Sequence, residues 1–212
     1  MTDHPASVDP QPLAPATSRV ALRVAAATVA IFMLLSWADT ATTNAGRSDG
    51  TSLELNVHLL DPSGLLGVRY WAYHLVLALM LAEFARRFVA GMADLLPHLD
   101  ERRAFDIFSF RRDEGRSSWL FLLMVTDALL MGAIVEVNNV VEGTLGLGIA
   151  PMLRRVGTMV LGENADVDSY LHYPVIYTDA ILAFLLLAPV SRAIARGIAR
   201  AYPAIWQPVQ PR

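Results

Sequence analysis

Four apolar stretches, each close to the length of a membrane crossing, constrain this chain more than any other feature. They cover residues 20–44, 65–88, 118–141 and 173–195. A helix needs about 20 such residues to cross about 30 Å of hydrocarbon, and a helix satisfies its own backbone hydrogen bonds there. Composition agrees: 54% of the residues are hydrophobic and only 17% charged, with a mean hydropathy of +0.41, where soluble domains carry about 25% charge. The expected fold is all-α, an integral membrane four-helix bundle over residues 19–200. A proline-rich tail at 1–18, read as disordered, precedes it, and a C-terminal tail at 201–212 follows. Arg19 and Arg23 before fifteen uncharged residues at 24–38 also fit a secretory signal. The polar but uncharged continuation through Asn44 favours a retained helix.

Arginine placement sets the orientation. Arg86 and Arg87, the link with Arg102, Arg103, Arg111, Arg112 and Arg116, the C-terminal Arg192, Arg196 and Arg200, and the N-terminal Arg19 and Arg23 belong on one side. The positive-inside rule makes that side the cytoplasm, with both termini in it; Arg154 and Arg155 dissent, in a loop that also holds Glu142, Glu163, Asp166 and Asp168. All seventeen basic residues are arginine, a bias of GC-rich bacterial genomes, so the expected location is a bacterial inner membrane, multi-pass. The arginines flank spans instead of forming one basic face, which argues against a nucleic-acid partner. Tyr70, Trp71 and Tyr73 read as an interfacial aromatic belt, with Trp119 at the entrance of the third span. Two connecting segments have the pattern of interfacial helices. One includes Leu95, Leu99, Phe105 and Phe108; the other, at 146–161, either lies in the outer headgroup layer or re-enters the bundle.

Each span holds one acid: Asp39, Glu83, Asp127 and Asp179. A mid-bilayer carboxylate costs about 3 kcal/mol on insertion scales, so it normally faces the bundle or a wet cavity. Glu83 has Arg86 and Arg87 three and four residues on, the spacing of a helical ion pair. Asp127 and Asn138 are eleven residues apart, three turns, and share a face, while Glu136 points the opposite way. That stripe is either a hydrogen-bonding element of the bundle or a functional site. His74, His172, Asp179, Glu136, Asn138 and Asp39 can converge in the outer half. Imidazole with carboxylate is a possible set for a metal (His74, His172, Asp179), although no HExxH or comparable spacing occurs. No residue pattern names a cofactor. Absence of cysteine excludes disulfides, thiolate metal sites and thiol nucleophiles. There is no phosphate-binding loop and no GxSxG, and Ser117 and Ser118 lack a neighbouring histidine or lysine to activate them.

Asp39, Thr42 or Thr43, Gly46, then Glu54-x-Asn56 and a second span resemble a small bacterial and archaeal membrane family of unknown function. Its two-helix hairpin carries a D…T…G…E-x-N-P signature. The likeness covers residues 36–87; it departs at Val57, where the family has proline, and at His74, where a basic residue is expected. The resemblance implies no activity. It implies a Glu54–Asn56 loop that re-enters and caps the polar end of the hairpin. Asp127…Glu136-x-Asn138 then reads either as a shortened second copy or as coincidence.

Three functions fit this pattern. The first is an accessory subunit packing with other membrane proteins, and the sequence leans to it. The second is a protein with its own periplasm-facing site for a cation, proton or small ligand. The third is a haem-binding bundle with His74 and His172 as axial ligands. The lipid bilayer is a partner in all of them.

Overall fold

Helix formation begins at Pro15, whose fixed φ suits a first turn, and α1 runs Pro15–Ser48. The polar residues near its far end extend the helix instead of ending it. The hydroxyl of Ser36 donates to the Phe32 carbonyl at 2.9 Å, Thr40 to Ser36 at 2.8 Å and Thr42 to Ala38 at 3.0 Å. Each hydroxyl is satisfied within its own helix, which is what a low-dielectric setting demands. Further helices are α2 (Val68–Ala90), α3 (Met92–Leu95), α4 (Arg116–Leu145), α5 (Ile149–Leu161), α6 (Asp168–Ala201) and α7 (Pro203–Trp206). Tight turns of 3-10 geometry cover Leu96–His98 and Ala104–Phe108.

This computed structural model describes residues 15–48, 62, 65–108, 113, 115–145, 147–162 and 168–206. Among them the architecture is all-helical, without strands. The tail expected at 1–18 overlaps α1 in its last four residues; 1–14 lie outside the described residues. At the other end, α7 occupies part of the expected 201–212 tail. α6 starts at Asp168, so Pro174, expected in a first turn, stands well inside the helix. Among the described residues, three helices are long and apolar enough to cross a membrane: Ala16–Ala45, Arg116–Leu145 and Tyr177–Ala201. α2 has 23 residues but carries Arg69, His74, Glu83, Arg86 and Arg87 among them.

α1 packs on α2 and α4, α2 also on α4, and α4 on α6; α5 lies against α6 and α4. The densest core sits at one end, where Val20 of α1, Phe88 of α2, Leu95 of α3, Trp119 and Leu122 of α4 and Leu187 of α6 meet. Arg86, Arg87, Arg102, Arg192 and Arg196 gather at the same end. Buried Arg102 reaches both carboxylate oxygens of Asp113 at 2.9 Å, Arg192 donates to the Arg102 carbonyl, and Arg196 pairs with Asp100. Glu83 receives Arg86 at 2.8 Å and Arg87 at 2.7 Å, as the sequence spacing predicts.

Of the apolar residues in the expected interfacial segment, Leu95 and Leu99 are buried in the core, while Phe105 projects outward. Glycine stands at two close approaches beside that segment. A Cβ on Gly91 would stand 2.0 Å from Ser118 Oγ. Gly115 has a φ of +72°, and a Cβ there would meet the Asp94 carbonyl oxygen at 2.6 Å. Trp119 is buried in the core at the start of α4 and donates its Nε1–H to the Arg103 carbonyl at 3.0 Å.

Candidate functional site

At the end away from the arginines, one carboxylate ties three helices together. Asp39 of α1 accepts the Tyr70 hydroxyl of α2 at Oδ2, 2.8 Å. Its Oδ1 accepts Asn139 Nδ2 of α4 at 3.2 Å and Thr43 Oγ1 of α1 at 3.3 Å. The Tyr70 hydroxyl also lies 3.1 Å from the Ser36 carbonyl. One turn on, Thr42 Oγ1 stands 3.3 Å from Glu136 Oε2 of α4, its one proton shared between that carboxylate and the Ala38 carbonyl. Asn44 and Leu66 exchange side-chain and backbone hydrogen bonds of 3.1 and 2.8 Å, fixing the start of α2 beside α1.

His74 completes the cluster. Its ring stacks on Tyr70, 3.8 Å between centroids, with Phe32 at 5.7 Å and the edge of Tyr73 at 5.4 Å. Nδ1 lies 2.9 Å from the Tyr70 carbonyl; a carbonyl only accepts, so Nδ1 carries a proton. A cleft of about 290 Å³ opens beside these groups, lined by Phe32, Ser36, Asp39, Tyr70, His74 and Gly132 among others. Chemically this is a clamp with a small opening. Three donors occupy a carboxylate that has about four acceptor positions, and what remains on the cleft side is one carboxylate edge and an imidazole.

The other sequence candidates lie elsewhere. Asn138 Oδ1 accepts the Ile149 N–H at 2.8 Å, satisfying one of the open donors at the start of α5. It also lines a second, almost wholly apolar cleft of about 550 Å³ between α4, α5 and α6. Glu136 and Asn138 point to different helices, as their spacing requires. Asp127, expected to face the bundle, is exposed. The apolar core at its level is already filled by Val125 with Leu81 and Ala85 of α2 and Ala25 of α1, and Asp127 stands on the side of α4 away from it. Asp179 is 5% exposed, and its Oδ1 has no hydrogen-bond partner among the described residues. It heads the buried stripe Asp179, Ala183, Leu187, Ser191, Ala195 on α6.

Asp39, Glu136 and His74 are therefore brought together, while Asn138, Asp127 and Asp179 are not part of their cluster. The Glu54–Asn56 loop and the His172 side chain lie outside the described residues. Among the described residues, no three histidine or carboxylate side chains gather as a metal site. Sequence reading missed Tyr70 and Asn139. Tyr70 was detectable as the residue one turn from His74, on the same face, and Asn139 as the neighbour of Asn138, about 100° round the helix. Set beside known proteins, the chain matches no family model, no curated protein and no solved structure.

Proposed function

We propose that this chain is a small multi-pass protein of a bacterial inner membrane that packs as an accessory subunit in a larger membrane assembly. The observation that carries the reading is exposed Asp127 on α4, the most apolar long helix. It stands eleven residues from Arg116, about 16 Å along the axis at 1.5 Å per residue. Lipid at that depth offers a carboxylate no donor, and the cost of about 3 kcal/mol falls on the isolated chain. A protein neighbour removes it.

In this reading α2 is a fourth crossing. Its 23 residues span about 35 Å, it packs along both α1 and α4, and its Glu83–Arg86–Arg87 group is paired near one end. The N-terminal part of α1 and the C-terminal part of α6 contribute to the same core as the 91–115 link. That supports an even number of crossings, with both termini cytoplasmic by the arginine bias. The family resemblance of residues 36–87 is kept as part of the proposal: the clamp of Asp39 lies where the hairpin signature begins.

Mild detergent extraction from native membrane, followed by a native gel, tests the subunit role. The expected result is a stable species well above the 23.2 kDa of the chain with its detergent. A lone monomer overturns the proposal. A second reading, a periplasm-facing site for a cation, proton or small ligand, is favoured by the cleft that Asp39 and His74 line. It expects Asp39→Asn to abolish ligand-dependent stabilisation of the purified protein; stabilisation that survives the substitution counts against it.

A further inference from the structure

Resting on the second reading, a ligand site at the cleft of Asp39 and His74, we infer that its ligand is a small organic ammonium, a protonated amine on an apolar body. Charge is the first reason. Asp39 accepts from Tyr70, Asn139 and Thr43, donors that carry no formal charge, and it has no ion pair among the described residues. Of the residues lining the cleft, His74 alone can carry a positive charge, and its Nδ1 proton goes to the Tyr70 carbonyl. Arg69 is exposed. Arg154 and Arg155 belong to α5, which packs on α6 and α4, and Arg154 attracts the Glu142 carboxylate. A carboxylate within a membrane calls for a cationic partner, and the described residues supply none.

The walls decide what kind of cation fits. The cleft volume of about 290 Å³ equals about ten waters of liquid at about 30 Å³ each, far more than a bare ion fills. A metal ion asks for four or more ligands. Asp39 and His74 are two, and among the described residues no third histidine or carboxylate joins them. A hydrated ion asks for polar walls, and Phe32, Leu35, Leu77, Met131 and Val135 offer its waters nothing. An anion is repelled by Asp39; a neutral apolar guest leaves that charge uncompensated. An ammonium on a ring or short chain answers both demands, with its charge toward Asp39 and its body against the apolar side. The stacked rings of Phe32, His74 and Tyr70 add the aromatic surface that such cations favour. Because α1, α2 and α4 each pack on the other two, the cleft between them admits a small molecule and excludes a helix about 10 Å across.

The test is calorimetric titration of the purified full chain in uncharged phosphatidylcholine nanodiscs, with melting followed alongside. The probes are cyclohexylammonium, its neutral and acidic counterparts cyclohexanol and cyclohexanecarboxylate, and the ions Na⁺, Mg²⁺ and Zn²⁺. Cyclohexylammonium should bind saturably and raise the melting temperature, and the other probes should do neither. Asp39→Asn keeps the size of the side chain and an acceptor for Tyr70. It should weaken binding about tenfold or more, the loss expected for one contact to a charged group. Ala128→Phe fills the cleft and leaves the hydrogen-bonding groups of Asp39 in place, so it should abolish binding. Melting without ligand separates a lost site from a lost fold, and Ala128→Phe still reads the site if Asp39→Asn loosens the helices. Undiminished binding in both variants, or equal binding of cyclohexanol, overturns the inference. So does a cyclohexylammonium response that appears only after Arg47→Gln or Arg69→Gln, because an arginine of the chain itself then holds the cleft. If Zn²⁺ or another inorganic ion binds instead and Asp39→Asn removes it, the ligand class is wrong and the second reading stands. Failure of every probe to bind, in the wild type and the arginine variants alike, takes both down.

Discussion

Tyr70 and Asp39 show how much rests on a single hydroxyl. Tyr70→Phe removes one oxygen and leaves the ring stacked on His74, so any change reports the 2.8 Å bond to the Asp39 carboxylate. Hydrogen bonds to charged groups contribute about 1.5–3 kcal/mol, and interhelical ones in membranes average nearer 0.6. The expected loss is therefore about 1–2 kcal/mol in reversible unfolding from bicelles or detergent. Tyr73→Phe, at an exposed tyrosine, should cost almost nothing. Equal effects from the two variants would mean that the clamp does not hold the helices. At this scale the sequence told which residue types matter more than where they point. Asp39, Glu136 and His74 were legible as polar residues at span ends, yet Tyr70 belongs equally well to an aromatic belt until α1 is set beside it. The choice between Asn138 and Asn139 depends on which neighbour each face meets, and α1 and α5 take one each.

Helix existence was legible from apolar run length, while helix ends and the 91–115 link were not. α1 runs past its apolar stretch, as the uncharged continuation through Asn44 allows, because serine and threonine hydroxyls bond back to the preceding turn. In the link, alternating apolar and charged residues suit an interfacial helix, and nothing in that pattern separates Leu95 and Leu99, which the core buries, from exposed Phe105, or marks the left-handed turn at Gly115. Gly115→Ala tests that turn directly. A non-glycine residue at positive φ costs about 1–2 kcal/mol, and the added Cβ also meets backbone at 2.6 Å. Expected destabilisation is about 2–4 kcal/mol, since backbone atoms on both sides must shift. Gly197→Ala is the matched control: no atom stands within 4 Å of its Cβ, it is helical, and alanine is favoured there by up to about 1 kcal/mol. Thermal unfolding of the two variants side by side should move in opposite directions. A Gly115→Ala protein that melts with the wild type would remove the strain argument.

For the whole molecule, the two ends differ in kind. The arginine-rich end is filled by Trp119, Phe88 and Leu95 and tied by Arg102 and Arg192; the opposite end holds the carboxylate clamp and both clefts. Such a division suits a chain anchored firmly on one side and adaptable where neighbours arrive. It also makes topology the measurement on which the larger proposal turns. Composition and helix length alone pass three helices among the described residues, which would leave the termini on opposite sides; the shared core of the α1 start and the α6 end supports the proposal that they lie on the same side. Fusing a fluorescent protein that matures only in the cytoplasm to the C-terminus should give a bright signal, and fusing a phosphatase active only outside the cytoplasm should give none. The same phosphatase inserted between α1 and α2 should be active. With α2 outside the bilayer instead, α4 and α6 would run opposite to that arrangement, and the 91–115 arginines would have to cross with the cost of several charges. Reversed reporter activities at the C-terminus would thus dismiss the fourth crossing.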